Sequence, residues 1–176
     1  MVYKRVILKR GKEESLKRFH PWVFSGAIAR MDNIEEGDLV TVYDHEGNLI
    51  GNGHYQIGSI AVRILTFDDT EIDSAFFVKR LTEAYKMRQA LGLSRPDNNA
   101  FRLVHGEGDF LPGLVVDIYG STAVMQAHSP GMHFARNLIA DALTQLPNGV
   151  VNNVYYKSET TLPYKAQLDP QNEYIV

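Results

Sequence analysis

Short alternating stretches, separated by turn-forming residues, dominate the first 70 positions of the chain. Tyr3 to Leu8 alternates and is rich in branched side chains, which predicts a strand that Gly11 breaks. Glu13 to Phe19 fits a short helical turn that must stop before His20-Pro21, because a residue preceding proline is pushed out of the α region. Asp38 to Tyr43 and Leu49 to Tyr55 are two strands of a hairpin, joined through Asp44-His45-Glu46-Gly47-Asn48, whose residues tolerate positive φ. Ile60 to Phe67 adds a further strand. Short strands packed this densely predict a small barrel rather than βαβ units, with Gly51, Gly53 and Gly58 at its sharp bends.

The acidic run Asp68 to Asp73 marks a boundary, and Asp73 or Ser74 is placed to cap a helix. That helix, 75–91, carries Phe76 or Phe77, Arg80 or Leu81, Ala84, Met87 and Leu91 at helical spacing and stops at Gly92. Three strands follow, over 101–105, 114–119 and 122–128. An amphipathic helix over 131–146 then presents Phe134, Leu138, Ile139, Ala142 and Leu146, and 150–156 forms another strand. Positions after Lys157 are weakly patterned, and the apolar tip Tyr174-Ile175-Val176 reads as an interrupted chain. The pattern as a whole is α+β: a β-barrel over 1–70 and an α+β unit over 71–176.

Composition narrows the function. Hydrophobic residues make up 44% and charged residues 22% of the 176, ordinary globular proportions. No apolar run approaches the ~20 residues of a membrane span, and the N-terminus lacks the apolar stretch of a signal peptide, so no membrane partner and a cytoplasmic location are expected. There is no cysteine, hence no disulfide, no thiolate nucleophile and no cysteine zinc site. The net charge of -3 hides an uneven distribution. Residues 1–30 hold eight basic and two acidic groups, a net +6; the other 146 hold ten basic and nineteen acidic, a net −9. A basic lobe on an acidic protein concentrates attraction for phosphates on one face.

Two segments carry candidate chemistry. In Arg18-Phe19-His20-Pro21-Trp22-Val23-Phe24-Ser25-Gly26, Trp22 and Phe24 are read as plugs for one end of the barrel, with base stacking as the alternative. Arg18, His20, Ser25 and Gly26 are the better ligand contacts, glycine permitting close approach of a phosphate backbone. In Arg102 to Gly113, Glu107 and Asp109 lie between glycines beside His105. They suit general acid/base work, a magnesium ion, a structural turn, or a contact with RNA or another domain, to which Arg102 would add. Gly106-Glu107-Gly108 and Gly51-Asn52-Gly53 lack the third glycine of a dinucleotide loop, and His128 and His133 are not spaced as paired zinc ligands. No metal site is expected.

The run Leu8-Lys9-Arg10-Gly11-Lys12-Glu13-Glu14-Ser15-Leu16-Lys17-Arg18, followed by His20-Pro21-Trp22-Val23-Phe24-Ser25-Gly26-Ala27-Ile28, resembles the opening of the RlmI-type methyltransferases, which modify carbon 5 of cytosine in large-subunit ribosomal RNA. Arg102 to Gly113, running into Leu114-Val115-Val116-Asp117-Ile118-Tyr119-Gly120, resembles the middle domain of that family. The resemblance implies an N-terminal PUA domain and a β-β-α-β-β linking domain. It also implies a doubly wound catalytic domain, absent here, that would hold S-adenosylmethionine; no cofactor is expected in these 176 residues. Ribosomal RNA is the implied partner, contacted through Lys9, Arg10, Arg18, His20, Ser25, Gly26 and Arg63. The relationship is also compatible with a homodimer formed through the middle domain. The attacking cysteine expected of such enzymes is missing, so the chain by itself should position RNA rather than methylate it. A free-standing acid/base enzyme using Glu107, Asp109 and His105, or a protein-interaction module, are the competing readings.

Overall fold

The computed structural model describes residues 3–168 and 170–176; Met1, Val2 and Asp169 lie outside the described residues. The first lobe is a curled six-stranded sheet built from β1 (Lys4–Leu8), β2 (Trp22–Phe24), β3 (Ile28–Met31), β4 (Leu39–Tyr43), β5 (Leu49–Tyr55) and β6 (Ile60–Thr66), in the order β2-β6-β5-β4-β1-β3. The expected hairpin is present as β4 and β5. Its turn is held by Asp44, whose carboxylate accepts the backbone N–H groups of Glu46 and Asn48 at 2.9 Å each, while Gly47 supplies φ +89°. Glycine in β5 is required by close packing. A Cβ on Gly51 would lie 2.1 Å from the Thr66 carbonyl oxygen, and one on Gly53 would lie 2.2 Å from that of Arg63. Only bare backbone lets β6 cross β5 so tightly, and the register shifts between Asn52 and Gly53 where it does. The sheet wraps a core that includes Val6, Leu8, Leu16, Val40, Val62 and Ile64.

Strands β2 and β3 were not legible as strands. They are only three and four residues long, and their partners β6 and β1 are distant in sequence. In β2 it is Val23 that is buried, at 2% exposure; Trp22 is half-buried and Phe24 is 49% exposed. The expected aromatic plug is therefore overturned. Successive strand residues face opposite sides, so the strand that commits Val23 to the core turns Trp22 and Phe24 outward.

The second lobe begins with α1 (Ser74–Ala90), capped by Asp73, whose side chain accepts the Phe76 N–H at 2.9 Å. It continues through β7 (Ala100–His105), β8 (Leu114–Tyr119), β9 (Thr122–Ala127), α2 (Pro130–Phe134), α3 (Arg136–Thr144), β10 (Asn153–Tyr156) and β11 (Glu173–Tyr174). The sheet order is β11-β10-β9-β8-β7, antiparallel except where the helical crossover makes β9 and β10 parallel. The elements from β8 onward follow the expected β-β-α-β-β order, with α1 and β7 added in front. The tip that reads as interrupted lies along β10 as its edge partner, Tyr174 opposite Tyr155.

The helix expected over 131–146 is two helices, bent at Ala135 (φ −81°, ψ 0°). Each half answers to a different neighbour. In α2, Gly131 lies against the His54 ring of β5, where a Cβ would sit 2.1 Å from Cγ, and Phe134 covers Gly37 of the first lobe. In α3, Ile139, Ala140, Ala142 and Leu143 turn into the core shared with α1 and the sheet. Phe134 and Leu138, expected on the buried face, are 53% and 43% exposed. Met87 on α1 and Leu91 just beyond its end are likewise exposed, and Tyr85 takes the buried position.

Candidate functional site

Five of the eight cations in the first thirty residues have no carboxylate partner among the described residues. Lys4 is paired with Asp38, Arg5 with Asp32, and Lys17 with Glu13 and Glu14. Lys9 instead donates to the Gly26 carbonyl at 2.9 Å and Arg18 to the Glu14 carbonyl at 3.3 Å, while Arg10, Lys12 and Arg30 make no ion pair among the described residues. Carbonyl contacts leave the positive charge uncompensated, so these side chains keep their attraction for anions.

Beside these cations runs a row of outward rings. His20 packs edge-on against Trp22 with centroids 5.4 Å apart, and Trp22 packs edge-on against Phe24 at 6.4 Å. The His20 Nδ1 accepts the Trp22 backbone N–H at 3.3 Å, which orients the imidazole. Ser25 and Gly26 begin the 3-10 turn Ser25–Ala27, both exposed, and nothing lies within 4 Å of where a Gly26 Cβ would be. Lys12, Ser15, Trp22, Phe24 and Gly26 border one cleft of about 340 Å3. The structure thus brings Lys9, Ser25 and Gly26 together and sets the His20 ring beside this cleft.

Arg63 belongs to a different place. It stands on β6 opposite Trp22, in a cleft of about 260 Å3 between the two lobes, lined also by His105, Gly106, Glu107, Gly113, Leu114, Val115 and His128. Burial pushes the Arg63 pKa below its ordinary value, the charge of Glu107 opposing this. The Trp22 indole N–H donates to Glu107 Oε1 at 2.9 Å, tying residues 85 positions apart across the seam. Burial also lowers the His128 pKa, assisted by the positive charge of Arg102 and opposed by Glu107, which favours the neutral imidazole. His128 was not singled out from sequence as part of a site; it enters because β9 ends beside Gly113, where a Cβ would fall 2.5 Å from Ser129 Oγ.

The acid/base group expected around Glu107, Asp109 and His105 is divided. Asp109 faces inward, accepting from both terminal nitrogens of Arg88 at 2.8 and 2.6 Å and from the His105 backbone N–H at 2.6 Å. Arg102 is held by Asp117 through two bonds of 2.8 and 2.9 Å, with its Nη1 3.2 Å from His105 Nδ1. Asp117 accordingly raises the Arg102 pKa. Glu107 and His105 line the cleft, whereas Asp109 does not. His133 bonds the Tyr156 hydroxyl at 2.7 Å, away from His128. Among the described residues no cluster of three potential metal ligands occurs, and no helix is long and apolar enough to cross a membrane.

Residues 6–67 match the PUA-like domain family. The chain is 41% identical over 145 residues to the ribosomal RNA large subunit methyltransferase I of Escherichia coli (strain SMS-3-5), a match covering 81% of this chain and 36% of that protein. The Klebsiella pneumoniae (strain 342) protein of the same name is 40% identical over 148 residues, covering 82% and 37%. The chain thus spans little more than a third of these relatives. Among solved structures, a protein assigned as a SAM-dependent methyltransferase from Streptococcus mutans superposes with TM-score 0.75 at 18% identity, covering 90% of this chain and 41% of that one. Another methyltransferase structure, complexed with SAH, gives 0.77 at 16% identity, covering 100% and 43%. At these identities the likeness is one of fold.

Proposed function

Because the chain belongs, over the portion it spans, to the family of the ribosomal RNA large subunit methyltransferase I proteins, we propose that this portion is the RNA-binding part of a methyltransferase that acts on cytosine carbon 5 of large-subunit ribosomal RNA. Its task is to hold RNA in position for a catalytic domain outside these 176 residues. The observation that carries this reading is the set of cations without carboxylate partners, Lys9, Arg10, Lys12, Arg18 and Arg30, beside the outward row of His20, Trp22 and Phe24. Cations of this kind hold phosphates without regard to sequence, and outward rings offer stacking surfaces to unpaired bases.

The local structure around the helical crossover supports a site for S-adenosylmethionine outside these residues. The crossover after β9 opens with Ser129-Pro130-Gly131, and the space over Gly131 is filled by the His54 ring rather than left for a ligand. With no cysteine in the chain, a thiolate nucleophile cannot come from it either. Both observations support placing the methyl donor and the chemistry in another domain.

Filter binding of ribosomal RNA fragments to the folded chain at two salt concentrations tests the proposal. Binding at low salt that weakens steeply as salt rises is expected. A folded sample that retains no RNA at low salt would refute it.

A further inference from the structure

The cleft between the lobes is not accounted for by phosphate binding, since it sets a carboxylate and an arginine against each other without joining them. Among the described residues Arg63 and Glu107 form no ion pair, because each is tied elsewhere. Arg63 donates through Nη1 to Gln56, and Glu107 accepts the Trp22 indole N–H through Oε1. The remaining guanidinium N–H groups and Glu107 Oε2 have no hydrogen-bond partner among the described residues. A donor-only and an acceptor-only group are thus held apart by separate struts, with His105, Leu114, Val115 and His128 also lining the cleft.

We propose that this cleft seats one unpaired base of the bound RNA, specifically a base that presents an amino group beside a ring-nitrogen or carbonyl acceptor; the inference rests on the RNA-binding reading above. The amino group donates to Glu107 and the adjacent acceptor receives Arg63, so the base bridges the gap that the struts maintain. A volume of about 260 Å3 lies below the roughly 300–1,000 Å3 of sites for drug-sized ligands, as suits a single planar base. Both His105 and His128 border the cleft, and imidazoles are among the flat rings on which splayed-out bases stack. In the same pose uracil places a carbonyl oxygen where cytosine has its amino group, and that oxygen would meet the carboxylate with no proton between them; to offer its N3–H instead, uracil must slide one position along its edge.

The probes are short single-stranded cytidine and uridine oligomers of equal length, titrated onto the folded 176-residue chain at low salt and followed by fluorescence anisotropy. The cytidine oligomer should bind about tenfold more tightly, the discrimination expected of one well-placed pair of hydrogen bonds. Glu107→Gln keeps an oxygen for the Trp22 indole, so circular dichroism should show an intact fold, and the ratio of the two affinities should fall toward one. Arg10→Ala should weaken both oligomers alike and leave the ratio unchanged. Equal binding of both oligomers to the unsubstituted chain, or a ratio unmoved by Glu107→Gln, overturns the base site while leaving the RNA-binding reading in place. Failure of both oligomers to bind at low salt overturns both readings.

Discussion

Asp109→Ala should destabilise the fold severely while leaving RNA affinity unaltered. The Asp109 side chain is 4% exposed and that of Arg88 11%, and the two are joined by bonds of 2.8 and 2.6 Å. Alanine would strand the guanidinium in a site that water barely reaches and would orphan the His105 N–H, which now donates to the same carboxylate at 2.6 Å. Breaking a buried pair from one side typically costs about 3–5 kcal/mol. For a chain of this size each kcal/mol lowers Tm by roughly 2–4 °C, so a fall of roughly 6–20 °C is expected. Urea denaturation followed by circular dichroism measures the loss. Arg88→Met combined with Asp109→Ala should recover part of it, because the uncompensated cation is then gone. A single-variant loss below about 1 kcal/mol would show that the pair contributes no more than an exposed ion pair. Weakened RNA binding by folded Asp109→Ala would show that the carboxylate serves the ligand rather than the fold.

His54 is packed beneath Gly131, and burial lowers its pKa to about 4 from 6.5. The unfolded chain therefore takes up a proton at a higher pH than the folded one. Stability should be fully present above pH 6.5 and should fall by roughly 2–3 kcal/mol as the pH drops toward 4, a slope that His54→Phe should remove. Equal urea midpoints at pH 7 and pH 5 for the unsubstituted chain would contradict this. At the basic face, Arg10→Ala and Arg18→Ala should each lower the slope of log affinity against log salt by about 0.7–0.9, as expected for one phosphate contact apiece. A salt slope unchanged in the double variant would place the RNA elsewhere.

Local chemistry made some elements readable in the sequence. The hairpin of β4 and β5 was legible because Asp44, Asn48 and Gly47 satisfy their own turn, and α1 because Asp73 and Gly92 mark its ends. The break at Ala135 was not legible, since it reflects two distant surfaces, His54 with Gly37 on one side and the α1 core on the other. For Trp22 the reason is nearer: Trp22-Val23-Phe24 alternates, and the strand buries its small middle residue, so the larger rings face away from the core. The basic face was visible as a run of charge, although which cations are neutralised depends on Asp32 and Asp38, folded back from the following loop. Arg63, Glu107 and His128 come from β6, the turn after β7 and the end of β9. No local pattern could have joined them.

Trp22 is the only tryptophan in the chain, and its indole spans the seam by donating to Glu107. The protein consequently carries an optical gauge at the point where its halves meet. Emission excited selectively through tryptophan reports the polarity and hydrogen bonding of that junction and of nowhere else, so a shift of one lobe against the other is observable without any attached dye.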